Sequence, residues 1–329
     1  MNLRPEFPPG LREIFAGEFV KKLFFVSLMS ILLSGCSSFA PLVWSLPTPT
    51  AMGQNGSVSS TPSPIPTTGP ASPSLTPDAQ TSIQEWEKAP VVPDLLSQEV
   101  IDLYKKGQEM GNNPHAFSVI GDCDSTPSWF LGDFDRGLLY YSLGGYSDLT
   151  DVISTFTGSF EHVNITVKRG FNTAAILSPL WADPKTCSPG ESPLECEIQT
   201  NHPAFAFILL GTNDVYSLDS FKRNMKAIIN ELEGHGIIPI LATKADDLEG
   251  GNRINAIISE LAREYEIPLW NFWRAVQPLP DHGLQSDGAH LTWANNRFDD
   301  PTAMEKAWPW RNLTALQVLD FVWRGVQKP

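Results

Sequence analysis

Residues 91–329 read as one α/β domain built on a parallel sheet. Two patterns predict it: short, near-continuous apolar runs of strand length, and amphipathic helical stretches alternating with them. A third observation agrees: most of the apolar runs stop at Gly-containing turns, where parallel sheets of this kind bind ligands at their carboxyl ends. About 240 residues are enough to bury one sizeable core.

The elements follow in order. Residues 94–110 have the pattern of an entry helix. Phe117-Ser118-Val119-Ile120 is the first strand, stopped by Gly121-Asp122. Val163-Asn164-Ile165-Thr166-Val167 is read as the second, ending at Arg169-Gly170. Ala204-Phe205-Ala206-Phe207-Ile208-Leu209-Leu210 is the third and clearest, ending at Gly211-Thr212-Asn213-Asp214. Residues 237–242 and 268–272 supply the fourth and fifth. Between them Phe221, Met225, Ile228, Ile229 and Leu232 share one helical face, as do Ile254, Ile257, Ile258, Leu261 and Tyr265. Residues 313–326 form a closing helix that is apolar on most of its surface. The expectation is a three-layer α/β/α domain with five parallel strands.

The first ninety residues differ in kind. Lys21 and Lys22 precede an apolar run, 23–33, too short to span a bilayer as a stable helix. It ends in Leu33-Ser34-Gly35-Cys36, which resembles the lipobox of bacterial lipoproteins. That resemblance implies diacylglycerol on the Cys36 sulfur, cleavage before it, and an exported domain tethered to the bacterial membrane with its body extracytoplasmic. Residues 37–90 are dominated by Ser, Pro, Thr and Gly and bury too little apolar surface to offset their ordering entropy. They read as an extended stalk. The organisation expected is therefore 1–36 signal peptide and lipobox, 37–90 linker, and 91–329 domain.

The formal net charge of −14 opposes binding to nucleic acid and to anionic headgroups. Any membrane tether is then hydrophobic or covalent. Of the four cysteines, Cys187 and Cys196 flank a turn-rich segment and are expected to pair in an oxidising compartment, worth about 2–3 kcal/mol. No His stands at ligand spacing around them, so a metal is not implied. Cys123 is left without a partner. There is no Walker A loop and no Gly-x-Gly-x-x-Gly after the first strand, so no nucleotide cofactor is implied.

Four short signatures occur in one order: Gly121-Asp122-Cys123-Asp124-Ser125, Arg169-Gly170-Phe171-Asn172, Gly211-Thr212-Asn213-Asp214 and Asp287-Gly288-Ala289-His290. The series resembles the SGNH (GDSL-like) hydrolases over residues 117–293. Their blocks carry a Gly-Asp-Ser nucleophile, a Gly, a Gly-x-Asn and an Asp-x-x-His. The resemblance implies a flavodoxin-like three-layer fold and acyl transfer through a covalent acyl-enzyme. It also implies ester-bearing substrates such as acetylated glycans or lipid esters.

The chemistry of each position can be stated separately. A side chain past the first strand and opening a helix holds its nucleophilic atom where negative charge is favoured. Gly170 lets a backbone N–H approach an oxyanion, and Asn213 offers a carboxamide N–H to the same atom. His290 is the general base and then acid, and Asp287 fixes its tautomer.

The family's serine is replaced by Cys123, with Ser125 two residues on. Three readings stand open. Cys123 is the nucleophile, its thiol ionising more readily near a helix N-terminus and a His; or Ser125 acts through a shifted turn; or the site binds without catalysis. The expected function is a surface-anchored, monomeric ester hydrolase of the acetylesterase type; transfer to a hydroxyl acceptor is a variant of it. The alternative is an inactive binding module for surface glycan or lipid. Trp293, Trp308 and Trp310 fit either a sugar-stacking group or core packing and a lid.

Overall fold

The computed structural model describes residues 85–328; the expected lipobox with Cys36, and the Ser/Pro/Thr-rich stretch before residue 85, lie outside them. The packed chain starts ahead of Val91. Trp86, in the turn Trp86–Lys88, is buried edge-on against Trp273 with ring centroids 4.9 Å apart. Asn271 Nδ2 donates to Trp86 O at 2.9 Å and Ala89 O at 3.0 Å.

Helix α1 (Gln98–Glu109) follows, capped by Ser97, whose Oγ accepts from Val100 N. Then come β1 (Asn113–Gly121), α2 (Pro193–Asn201), β2 (Pro203–Leu209), α3 (Leu218–Gly234), β3 (Ile238–Ala242), α4 (Arg253–Glu264), β4 (Leu269–Trp270), α5 (Phe272–Val276) and α6 (Ala307–Val326). The sheet is parallel throughout in the order β1-β2-β3-β4. A separate two-residue parallel pair joins Tyr141–Ser142 to Asn296–Arg297.

Alternation along β2 assigns its faces. Phe205 stacks on Tyr104 of α1 at 5.9 Å, and Phe207 meets Trp270 edge-on at 6.0 Å, whose indole N–H donates to Thr314 of α6. The intervening Ala204, Ala206 and Ile208 turn to the other face, and all these residues are buried. The amphipathic α3 and α4 bury the apolar stripes expected of them. A sheet covered on both faces, with its central strands buried almost completely, gives the three-layer α/β/α arrangement.

The main sheet has four strands rather than five. Residues 163–167 contribute one bridge, Val167 to Gly121, and no ladder. Side chains take over the bonds that a strand would make. Val119 N donates to Asn164 Oδ1 at 2.7 Å, Thr166 Oγ1 donates to Val119 O at 2.6 Å, and Ile165 N donates to the buried Glu197 carboxylate at 2.7 Å. The free edge of β1 is thus closed by polar side chains. Period-two apolar patterning cannot distinguish that arrangement from a paired strand.

Two further corrections concern local structure. Cys187 and Cys196 are joined as expected, with Cα atoms 5.4 Å apart, but Cys196 lies inside α2 rather than in a loop. The segment after β1 is a three-residue 3-10 turn, Cys123–Ser125, and no long helix begins there.

Because Asn164 is buried and its Oδ1 satisfies a buried N–H, Asn164→Ala should lower stability by about 1–3 kcal/mol. Val163→Ala, at an exposed neighbour, should stay within about 0.5 kcal/mol. Urea midpoints of the two variants test this, and equal midpoints would mean that the side-chain edge is not what holds β1.

Candidate active site

All four sequence signatures lie on loops that leave the sheet or cross its carboxyl end. The turn after β1 is set by a close approach. A Cβ at Gly121 would lie 2.2 Å from Ser125 Oγ, so only glycine lets the chain fold back beneath itself there. Asp122 then caps the turn, its Oδ1 accepting from Asp124 N at 3.1 Å. This geometry buries Ser125 at 1% exposure with its Oγ facing inward and unpartnered. The structure therefore offers no approach to Ser125 as a nucleophile. Cys123, half-buried, carries the only free thiol among the described residues.

The thiol's surroundings oppose the expected easy ionisation. Burial pushes the Cys123 thiol above its ordinary value, and the carboxylates of Asp122 and Asp124 push the same way. A three-residue turn supplies little helix dipole to offset burial and the two flanking acids. Cys123 Sγ has one polar contact, at 4.0 Å, to Asp124 Oδ1, and no hydrogen bond to His290. Asp122 is itself raised to about 6, chiefly by burial and next by Asp124, with Arg311 opposing.

His290 and Asp287 form the pair that their spacing predicts. His290 Nδ1 lies 2.5 Å from Asp287 Oδ2, while Asp287 Oδ1 accepts from the backbone N–H groups of Ala289 and His290 at 3.0 Å each. One carboxylate thus orients both the loop and the ring, and the Nδ1 bond leaves Nε2 outside this pair. The His290 bond and the two backbone bonds hold Asp287 down at about 2. The same bond to Asp287 raises His290 above its ordinary value, with Asp124 and Asp122 adding to it.

The two oxyanion candidates differ. Gly170 is exposed in a turn where Phe171 N bonds to Lys168 O at 3.0 Å; its φ of 78° suits glycine, and a Cβ there would meet nothing within 4 Å. Asn213 comes to the same end of β1, but its amide is committed. Nδ2 donates to Phe171 O at 3.0 Å and to Asp122 Oδ2 at 3.2 Å. An oxyanion would take the place of Asp122 at that donor.

Residues that the motif reading passed over hold these parts together. The buried Asp214 receives Thr173 Oγ1 at 2.6 Å and Thr173 N at 3.1 Å, which ties the Gly170 loop to the Asn213 loop. Arg311, on α6, is buried against Phe130, Phe272 and Trp308 and donates to Asp124 O at 2.9 Å. The same helix also carries Asp320 and Arg324, so no local pattern singled Arg311 out. A narrow cleft opens beside this group, walled by Asp122, Asp124, Thr212, Asp246, Leu291 and Arg311. Lys244 and Asp246 stiffen its far wall: Lys244 Nζ is 2.7 Å from Asp246 Oδ1 and 2.6 Å from Glu249 Oε2. Among the described residues no group of three or more His, Cys, Asp and Glu side chains is placed to hold a metal ion.

No protein-family model matches the chain, and no curated protein matches it. Solved structures do resemble it. A lipolytic protein of the G-D-S-L family from Desulfitobacterium hafniense is 16% identical, over 62% of this chain and 99% of that one, with a TM-score of 0.40. A GDSL-like lipase from Bacteroides thetaiotaomicron is 15% identical, over 68% and 98%, with a TM-score of 0.38. An acetyl esterase mutant holding an acetate ion is 14% identical, over 63% and 99%, with a TM-score of 0.40. Likeness of this degree transfers no residue role, so the site stands on its own geometry.

The Asp287–His290 bond makes a direct prediction. In a proton NMR titration the His290 ring should show a midpoint above 6.5, and Asp287→Asn should bring it back towards that value. An unchanged midpoint in the variant would show that the pair does not couple in solution.

Proposed function

We propose that the chain is an SGNH-type ester hydrolase in which Cys123 is the nucleophile, His290 the general base and then acid, and Asp287 the residue that orients His290. The observation that supports this reading most is the pre-formed Asp287–His290 pair. A carboxylate spent on fixing one histidine tautomer leaves the other nitrogen ready to take a proton.

The raised thiol decides the type of mechanism. At neutral pH Cys123 rests protonated, and His290 removes its proton as the sulfur attacks the ester carbonyl. The C–S bond forms, and the carbonyl π pair moves onto oxygen. The tetrahedral intermediate is stabilised by the Gly170 backbone N–H and by Asn213 once it turns from Asp122. His290 then gives its proton to the departing alkoxide. Water, deprotonated by the same imidazole, attacks the thioester, and the thiol leaves with the proton returned to it. A Cys acting this way resembles a serine hydrolase more than a resting thiolate–imidazolium pair. We further propose that the domain works outside the cytoplasm, held to the membrane by diacylglycerol on Cys36 at the end of its stalk.

A second reading has its own support: Cys123 and His290 share no hydrogen bond here, and the thiol is disfavoured as an anion. A binding module on this fold would need neither. Uncomplexed sites often close such bonds only with substrate present, so the gap alone does not favour binding over catalysis.

Single-turnover reaction with p-nitrophenyl acetate, followed by intact mass and peptide mapping, separates the two. The hydrolase reading expects an acetyl adduct on Cys123 that is lost in Cys123→Ala and slowed about 10²–10⁴-fold in His290→Ala. It also expects kcat/KM to rise with pH as His290 deprotonates, with the midpoint above 6.5. An adduct on Ser125 would overturn the nucleophile assignment. A folded chain that forms no adduct with this or any acyl donor tried would favour the binding module.

A further inference from the structure

Three charged side chains, Lys244, Asp246 and Glu249, stand buried together on the loop after β3. Lys244 Nζ donates to Asp246 Oδ1 at 2.7 Å, to Asp246 O at 2.8 Å and to Glu249 Oε2 at 2.6 Å. Glu249 Oε1 accepts from Ile254 N at 2.9 Å. The Lys244 backbone is held from both sides by the buried Asn255, whose Oδ1 accepts from Lys244 N and whose Nδ2 donates to Lys244 O. Taking such charges out of water is costly, and apolar residues of similar volume often stabilise a fold as well or better. Stability alone therefore does not account for the network.

What it fixes lies at its free end. Asp246 Oδ2, the oxygen that Lys244 leaves free, accepts from Thr212 Oγ1 at 2.8 Å. Thr212 stands immediately before Asn213. The Lys244 stem packs against the same turn one residue earlier: a Cβ at Gly211 would lie 3.3 Å from Lys244 Cδ. On the other side of Asn213, Asp214 is bonded by Thr173, and its N–H donates to Gly211 O at 2.9 Å. Asn213 is thus carried between two pinned neighbours, while its own amide is spent on Phe171 O and Asp122 Oδ2. Turning that amide from Asp122 to an oxyanion then needs rotation of the side chain alone.

We propose that Thr212, held by the Lys244–Asp246 pair, is a positioning residue for Asn213: its hydroxyl fixes the backbone from which the Asn213 amide is aimed at the oxyanion. This role rests on the reading of the site as an ester hydrolase with Asn213 as an oxyanion donor. The benefit of such a donor lies in being in place before charge develops, so a loosened backbone weakens it without removing it. Thr212 also lines the narrow cleft, and a direct contact with bound substrate would appear in KM instead. Asp246 has a second influence, since its charge pushes Asp122 upward. A variant without that charge would change two things at once, whereas Thr212→Val removes the hydroxyl and keeps the charge.

The test is steady-state hydrolysis of p-nitrophenyl acetate by the full chain, run as a double-mutant cycle. In Thr212→Val kcat should fall about tenfold, short of the roughly 10²–10³-fold that follows outright loss of an oxyanion donor, while KM stays within about twofold. Thr212→Ser, which keeps the donor to Asp246, should restore most of the rate. In an Asn213→Ala background Thr212→Val should cost less than about twofold more, because its route to the reaction is already gone. Circular dichroism melts check that each variant is folded at the assay temperature. An active wild type whose kcat is unchanged in Thr212→Val, or in Asn213→Ala, would overturn the role. So would a loss that persists undiminished in the Asn213→Ala background, or one that appears in KM alone. A folded wild type that hydrolyses no ester offered would remove the hydrolase reading, and this role with it.

Discussion

The arrangement of the site depends on one buried cation. Arg311 comes from the last helix, reaches across to the turn after the first strand, and holds it through the carbonyl of Asp124. Its charge partly offsets the two acids that flank Cys123, and its aromatic surroundings keep it out of water. Without that guanidinium, Asp122 and Asp124 would lose the buried positive charge that opposes their mutual repulsion beside the thiol. The turn, the cleft beside it and the stacked Trp129–Trp308 pair all meet at this residue.

The same electrostatics give the site its character. A thiol between two carboxylates is a poor anion, so chemistry there requires a base that acts during attack rather than before it. Asp287 provides for this by raising the basicity of His290. Asp122 has a second part. With its carboxyl near neutrality's edge, at about 6, and bonded to Asn213, it occupies the donor that an oxyanion would use. In the proposed mechanism, substrate would displace this hydrogen bond to complete the site.

Much of this was legible in the sequence, because parallel strands buried on both faces write long apolar runs. Residues 204–210 and the stripe of Phe221, Met225 and Ile228 left no choice of element. Asp287 and His290 were legible too, since three residues on one tight loop bring a carboxylate to a ring nitrogen. What failed did so for physical reasons. Residues 163–167 alternate like a strand, yet Asn164 and Thr166 satisfy the edge of β1 with side chains, which patterning cannot foresee. The ionisation of Cys123 depends on burial, on two neighbouring acids and on how short the following turn is. Arg311 and Trp129 matter through contacts between chain ends far apart in sequence, and no local motif encodes those.

In the proposed mechanism Cys123 rests as a protonated thiol and is activated by His290 only during attack. Measuring the rate of iodoacetamide alkylation at Cys123 against pH, by peptide mapping of the full chain, tests it most directly. The midpoint should lie above that of an ordinary cysteine and change little in His290→Ala. A midpoint below 7 that moves upward in His290→Ala would show a resting thiolate–imidazolium pair and contradict it.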